Sequence, residues 1–471
     1  MRLTHTRGSY IKYVLSLLLL LTATSTQATN GMFQIGFGAK SKAMGGVGTA
    51  LALDSLAASA NPAGMVHVGS RYDMGVELFV PKRSTYLKDA ADGALSGGRP
   101  RINGKFTSRH NLYPVPNMGF NIMLNDRMSF GVSVIGAGLG TAYGENFFDI
   151  GPGNTDENAT LGIELFQMQI LPTFAYKYND THSFGVSPII AAQRFSARGL
   201  GDFVEFEFSS DDNNVSDRGQ DYSFGGGLRL GWQGRFLKDK NLTFGLTWAS
   251  KVYMERFRKY QGLIANGGQL DIPSNYTAGI AYTHKKKYLF SLDYGYIEYS
   301  KVPAIGNTHP ATCWGGTAFN CTAMQPLGDD KLGGRTGLGF GWRDMNVIKI
   351  GFAVKANSKW TYRAGMNYGK TPIPNNQVLF NAIAPAVVER HVTFGATYTP
   401  DRKSEISFMF MRAFSNYQEC RSYDTDEPSK FGKSCETYLT GRSISGNGEG
   451  GAAGIDMSQY SLGVSYSQKF D

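Results

Sequence analysis

Beyond its leading segment the chain has no apolar run of 18 residues, and its hydropathy is low. A helical membrane protein is thereby excluded, because each span needs about 20 predominantly apolar residues. Charge of one sign is also scarce. Residues 1–28 hold three Lys/Arg and no acid, which leaves 44 basic against 38 acidic side chains spread along the rest. So small an excess marks no nucleic-acid partner. Only four cysteines occur, Cys313, Cys321, Cys420 and Cys435, and their spacings match no zinc motif. His309 is the one histidine near a tight pair, so neither metal nor cofactor is read from them.

What the chain does have begins with an export signal. Arg2, Arg7 and Lys12 form a basic start, Val14–Leu21 an apolar stretch, and Thr26-Gln27-Ala28 a small-residue cleavage site after Ala28. The rival reading, an anchoring helix, has an apolar core of only about ten residues against the roughly 20 that span a bilayer. Next comes Gly31–Met65, rich in Gly and Ala and poor in large side chains, with an Asn61-Pro62 turn signal near its end. It could seed no water-soluble core, but it suits a compact insert inside a membrane barrel.

The rest alternates. Tyr460, Leu462, Val464, Tyr466 and Phe470 interleave with Ser461, Gly463, Ser465, Ser467 and Lys469. Val392, Phe394, Ala396 and Tyr398 do so against His391, Thr393, Gly395 and Thr397, and Leu242, Phe244, Leu246 and Trp248 against Thr243, Gly245 and Thr247. Successive side chains of a strand face opposite sides, so each segment has one greasy and one polar or small face. A soluble sandwich would also alternate, but these strands are long and carry aromatics at their ends, as interface girdles do.

About fourteen strands are predicted, near 70–80, 111–124, 128–142, 163–178, 182–198, 219–236, 241–256, 274–284, 288–301, 336–356, 359–369, 388–399, 404–415 and 457–470. Their connections alternate strictly between a few residues and roughly 15 to 40. Short turns on one side, long loops on the other and an even strand count are the grammar of an outer-membrane barrel. Both cysteine pairs fall in long connections. An even count in an exported chain reads as disulfides, most simply Cys313–Cys321 and Cys420–Cys435, although three pairings are possible.

Ala43-Met44-Gly45-Gly46-Val47-Gly48-Thr49-Ala50, Asp54 and Asn61-Pro62-Ala63 resemble the N-terminal hatch of the FadL-type outer-membrane transporters. The likeness continues through Val115-Pro116-Asn117-Met118, Asn125-Asp126, Trp360-Thr361-Tyr362-Arg363-Ala364-Gly365 and Thr371-Pro372-Ile373-Pro374. It implies an all-β fold, a fourteen-stranded antiparallel transmembrane β-barrel plugged by the hatch: signal 1–28, hatch 29–68, barrel 69–471. It further implies a monomer in the Gram-negative outer membrane, surrounded by its lipid, that takes up hydrophobic molecules, long-chain fatty acids foremost, with aromatic hydrocarbons as the alternative.

In that family cargo moves from an outer groove to an apolar pocket and leaves sideways through strand three. The matching positions here are Gly136, Gly138 and Gly140, where strand glycines weaken the ladder; the bland reading is that they make room for the hatch. Met32, Phe33, Ile35 and Phe37 are the candidate pocket lining, and Arg194 and Arg343 correspond to the basic residues that hold a carboxylate. Parity turns Arg343 inward but leaves Arg194 facing lipid unless a bulge near Pro188 shifts the register. The plain reading of either is a wall or rim arginine. Asn61, Pro62 and Ala63 mark the hatch. Barrel-assembly machinery reads a terminal aromatic, yet Phe470 is followed by Asp471. Other classes fare worse. A lipid hydrolase needs a nucleophile beside a histidine, and inward His391 has none; a diffusion porin would lack the hatch-like segment, and an adhesin rests on long loops alone.

Overall fold

Alternation of greasy and polar positions becomes a ring of strands in the computed structural model, which describes residues 30–88, 104–147, 160–205, 208–237, 239–308, 328–421 and 452–470. The export signal and Cys313, Cys321 and Cys435 lie outside these residues. The ring comprises β1 (Arg71–Lys88), β2 (Tyr113–Asn125), β3 (Met128–Gly140), β4 (Gly162–Lys177), β5 (His182–Arg198), β6 (Asp221–Phe236) and β7 (Leu242–Ala249). It continues through β8 (Asn275–His284), β9 (Tyr288–Ile297), β10 (Met345–Lys355), β11 (Trp360–Gly369), β12 (Arg390–Tyr398), β13 (Ser404–Arg421) and β14 (Ala452–Lys469). Each strand pairs antiparallel with the next, and β14 returns to β1 from Arg71↔Lys469 to Lys88↔Ala452. The fourteen-strand barrel is therefore closed, and the paired backbone groups of its ring are satisfied without water, as a bilayer demands. Two short strands stand off this ring: Gly104–Thr107 beside β1 and Tyr253–Met254 beside β6.

Connections on one side are short, at 126–127, 178–181, 237–241, 285–287, 356–359 and 399–403, and long on the other. The β8–β9 link shows the turn chemistry. Lys285 and Lys286 both take positive φ, and Lys287 N donates to His284 O, the two-residue turn whose twist matches the strands it joins. Outward rows such as Leu462, Met366, Phe394 and Leu246 are exposed, the apolar band that lipid would cover.

Strand lengths depart from expectation in a patterned way. β1, β13 and β14 run several residues further toward the long-loop side, because each supplies the others' hydrogen-bond partners there. By contrast β7, β9 and β10 are shorter than predicted. Residues after Ala249, after Ile297 and before Met345 leave the sheet and fold over the barrel mouth. There Phe203, Phe208, Phe257, Tyr260, Trp342 and Phe380 form a buried cap. Each such side chain contributes about 1.5–3 kcal/mol by leaving water.

Residues Asn30 to Val68 run through the inside of the ring. The proof is the spread of their contacts, from Glu77 of β1 through Gly185 of β5 and Gly245 of β7 to Thr393 of β12 and Glu405 of β13. Glycine on the inner wall is what admits this backbone. A Cβ at Gly245 would lie 2.0 Å from the Thr49 carbonyl oxygen, one at Gly231 2.0 Å from Asn61 Oδ1, and one at Gly365 2.1 Å from the Met44 carbonyl carbon. These inner-wall glycines thus form a moulded bed.

Candidate functional site

The inner segment starts at an Asn30–Phe33 bridge, where Gly31 takes φ +64. It is held from above by Tyr299, which follows β9 in the cap. The Tyr299 hydroxyl accepts from Met32 N at 2.9 Å and donates to the Asn30 carbonyl, and its ring packs edge-on against Trp342 and Phe33. Burial pushes this hydroxyl well above the usual phenol range, so it stays a donor throughout the biological pH span. Tyr299→Phe should cost about 1–2 kcal/mol, the net worth of the lost bonds. The check is a lower thermal midpoint in detergent together with earlier protease cleavage near residue 30.

Below that anchor the segment encloses a cavity of about 80 Å³. Phe33, Ile35 and Phe37 line it from the segment, Ile297 and Val347 from the wall, and Arg229, Asp293 and Lys349 supply charge. Asp293 is committed, its Oδ2 accepting from Gly48 N at 2.8 Å and Thr49 N at 2.9 Å. Arg229 is buried and donates to the Ser59 carbonyl, and Lys349 reaches only the Gly46 carbonyl at 3.3 Å. Neither cation has a carboxylate within ion-pair distance among the described residues. Asp293 lies directly across the β9–β10 ladder from Lys349, which leaves two cations against one acid in the chamber. That excess positive charge favours an anion, since a buried charge without a partner is costly.

The arginines expected in this role stand elsewhere. Arg343 is exposed and precedes β10, whereas parity had turned it inward. The error came from running one strand through 336–356. Gly341, at φ +66, breaks the alternation, so Leu338 and Trp342 are buried in the cap instead of meeting lipid, with Trp342 Nε1 donating to Asn381 Oδ1 at 2.6 Å. Arg194 keeps the outward parity of Phe184 and Ile190, and no bulge intervenes, because β5 holds one register with both neighbours. It pairs with Glu164 at 2.7 Å and lies over the Phe166 ring. Of the apolar candidates, Phe33, Ile35 and Phe37 come together at the cavity, while Met32 joins the cap. Arg229 and Lys349 were overlooked, although each is a lone charge mid-strand in a row of small inward residues: Gly227 and Gly231 flank one, Val347 and Gly351 the other.

The Asn61-Pro62-Ala63 triplet secures the other end. Asn61 caps the short helix Pro62–His67 by accepting from Ala63 N. Its amide donates to Thr49 O at 2.8 Å and to Trp232 O of β6 at 2.9 Å. Around the wall, Lys42 meets Glu77, and Lys40 meets Glu405, which also receives Arg71.

On the third strand the ladder is broken. β2 and β3 pair from Asn125↔Met128 to Met118↔Val134 and no further, whereas β3 stays paired with β4 to Gly140. Pro114 and Pro116 of β2 carry no N–H and so cannot donate to that ladder. Val115, Pro116, Ile135, Gly136, Phe166 and Met168 line a small recess at the break. A Cβ at Gly136 would meet nothing closer than 3.8 Å, so this glycine does not make room for the inner segment. Instead Gln34 donates its side-chain N–H to the Gly136 carbonyl. Cys420 is disulfide-bonded at the end of β13.

With this geometry in hand, similar proteins are informative. Residues 20–446 match the family described as outer membrane protein transport protein (OMPP1/FadL/TodX). A long-chain fatty acid transport protein of Escherichia coli O6:H1 is 23% identical over 313 residues, which are 59% of this chain and 65% of that one. The match thus spans just under two thirds of that relative's length. Among solved structures, the Pseudomonas putida toluene transporter TodX shares 18% identity at a TM-score of 0.61, covering 93% of this chain and 99% of its own. A Pseudomonas aeruginosa FadL homologue shares 14% at 0.60, covering 96% and 100%. These likenesses establish the fold.

Proposed function

From the premise that this chain belongs to the OMPP1/FadL/TodX family of outer-membrane transport proteins, we propose that it takes up hydrophobic carboxylates, long-chain fatty acids first among them. The single observation behind this reading is the pair Arg229 and Lys349, two cations against the one acid Asp293, beside Phe33, Ile35 and Phe37 in one cavity within the barrel. A carboxylate accepts charge-assisted hydrogen bonds from both cations, and the apolar lining takes the carbons nearest to it.

Cargo would enter through the apolar cap, rest in the cavity and leave sideways between β2 and β3. Gln34 connects the last two steps, since it belongs to the cavity segment yet caps the open edge of β3 at Gly136. Residues 29–68 act as a hatch in this scheme, and Phe470, exposed after β14, is the aromatic for the assembly machinery to read. Liposome uptake of oleate, with a small sugar as control, tests the reading: oleate should enter and the sugar should not.

A second reading, uptake of neutral aromatic hydrocarbons, is favoured by volume. A cavity of about 80 Å³ suits one small ring, whereas an 18-carbon tail requires the Phe33–Phe37 segment to shift. The solved toluene transporters share this fold. Both readings use the side exit. Val115→Cys with Ala137→Cys, the positions that the β2–β3 register would pair if it continued past the break, should on oxidation reduce uptake of oleate and toluene alike by about tenfold, as expected when a conformational gate is pinned. Reduction should restore it, and uptake unaffected by the crosslink would dismiss the side exit.

A further inference from the structure

The inner segment bonds several of the polar wall groups it touches. Thr393 accepts from Gly45 N, Asp73 from Ser55 N, and Ser133 donates to Ser55 O. One step further toward the cap this stops. Lys349, Asn367 and His391 lie two residues beyond Gly351, Gly365 and Thr393, the wall positions that seat Met44 and Gly45. The three are direct cross-strand partners, Lys349↔Asn367 and Asn367↔His391, all on the inner face.

Asn367 and His391 are each nine-tenths buried or more. Neither end of the Asn367 amide has a hydrogen-bond partner, and neither ring nitrogen of His391 makes a bond of normal geometry, although the Asn367 backbone lies beside the ring. Among the described residues no other side chains are left open at two atoms. Apolar side chains of the same shape would cost less in such a place. Donor and acceptor stand side by side without partners, and although neither side chain lines the cavity itself, their cross-strand neighbour Lys349 does.

We infer that Asn367 and His391 form a hydroxyl-binding shelf beside the cavity, so that the chain also accepts hydrophobic alcohols or phenols. A hydroxyl donates once and accepts twice, which matches an open amide and an imidazole. A carboxylate only accepts and is served at Arg229. The inference rests on the reading of the cavity as a cargo site.

The test measures binding of benzyl alcohol, toluene and octanoate to the full-length barrel in detergent. Asn367→Leu and His391→Phe should each weaken benzyl alcohol about tenfold, since a hydroxyl then loses its partner. Toluene and octanoate should be unchanged, and His391→Gln should retain alcohol binding. Equal benzyl alcohol affinity in wild type and variants overturns the shelf, whereas loss of octanoate alone in Arg229→Met leaves the cavity reading standing. Should the variants not assemble, a crystal of the wild type with 4-bromobenzyl alcohol decides. Hydroxyl density on Asn367 and His391 supports the shelf; ordered water there, with the bromine elsewhere, refutes it.

Discussion

Replacing Arg229 and Lys349 together by methionine should abolish high-affinity oleate binding while leaving toluene binding within about twofold. Each charge-assisted hydrogen bond contributes roughly 1.5–3 kcal/mol, so each substitution should weaken the carboxylate by about tenfold or more. The same change should not destabilise the barrel. Arg229 is buried with no carboxylate within ion-pair distance among the described residues, so removing it relieves a desolvation cost that offsets what the half-buried Lys349 gains from facing Asp293 across the ladder. Lower oleate affinity with an unchanged or raised thermal midpoint is therefore the diagnostic pair, measured by titration and by melting in detergent. A variant that loses toluene as well, or that melts early, would show the two residues to be scaffolding.

The second large effect concerns the bed of the inner segment. Valine at both Gly231 and Gly245 would place atoms 2.0 Å from Asn61 Oδ1 and from the Thr49 carbonyl oxygen. The Thr49 backbone cannot yield by that much, and a displaced Asn61 loses the amide bonds that hold it, so the segment must leave its seat. The wall itself has no need of it, because ring closure through β1 and β14 satisfies the strands alone. The variant should insert and keep its folded gel mobility, lose oleate uptake by about tenfold or more, and conduct ions as an unplugged barrel of this size would. Normal uptake by a correctly inserted double variant would mean that the segment is dispensable, and the cavity reading would go with it.

How far the sequence carried differs between wall and site. Period-two alternation and loop parity were enough for fourteen strands and their order, since a one-residue slip would turn every greasy side chain inward. Prediction failed where chain left the sheet. Leu338, Phe340 and Trp342 kept the outward pattern but serve the cap, and nothing in an alternating string distinguishes lipid from a folded loop as the apolar partner. Arg343 was misplaced by the same continuity. The Gly136 region was legible because glycine in a strand is anomalous, yet the break itself owes as much to Pro114 and Pro116 on the facing strand. Arg229 and Lys349 were visible as charges in small-residue rows. What no row could reveal is which charges the inner segment neutralises: Lys42 answers Glu77, and nothing answers Arg229.

Closure through the terminal strands sets an order of events for biogenesis. The inner segment immediately precedes β1, and its Lys40 and Lys42 are bonded to Glu405 of β13 and Glu77 of β1, on either side of the β1–β14 joint. Gathering the segment within a still-open curved sheet lets those ion pairs form from both sides before the last strand meets the first.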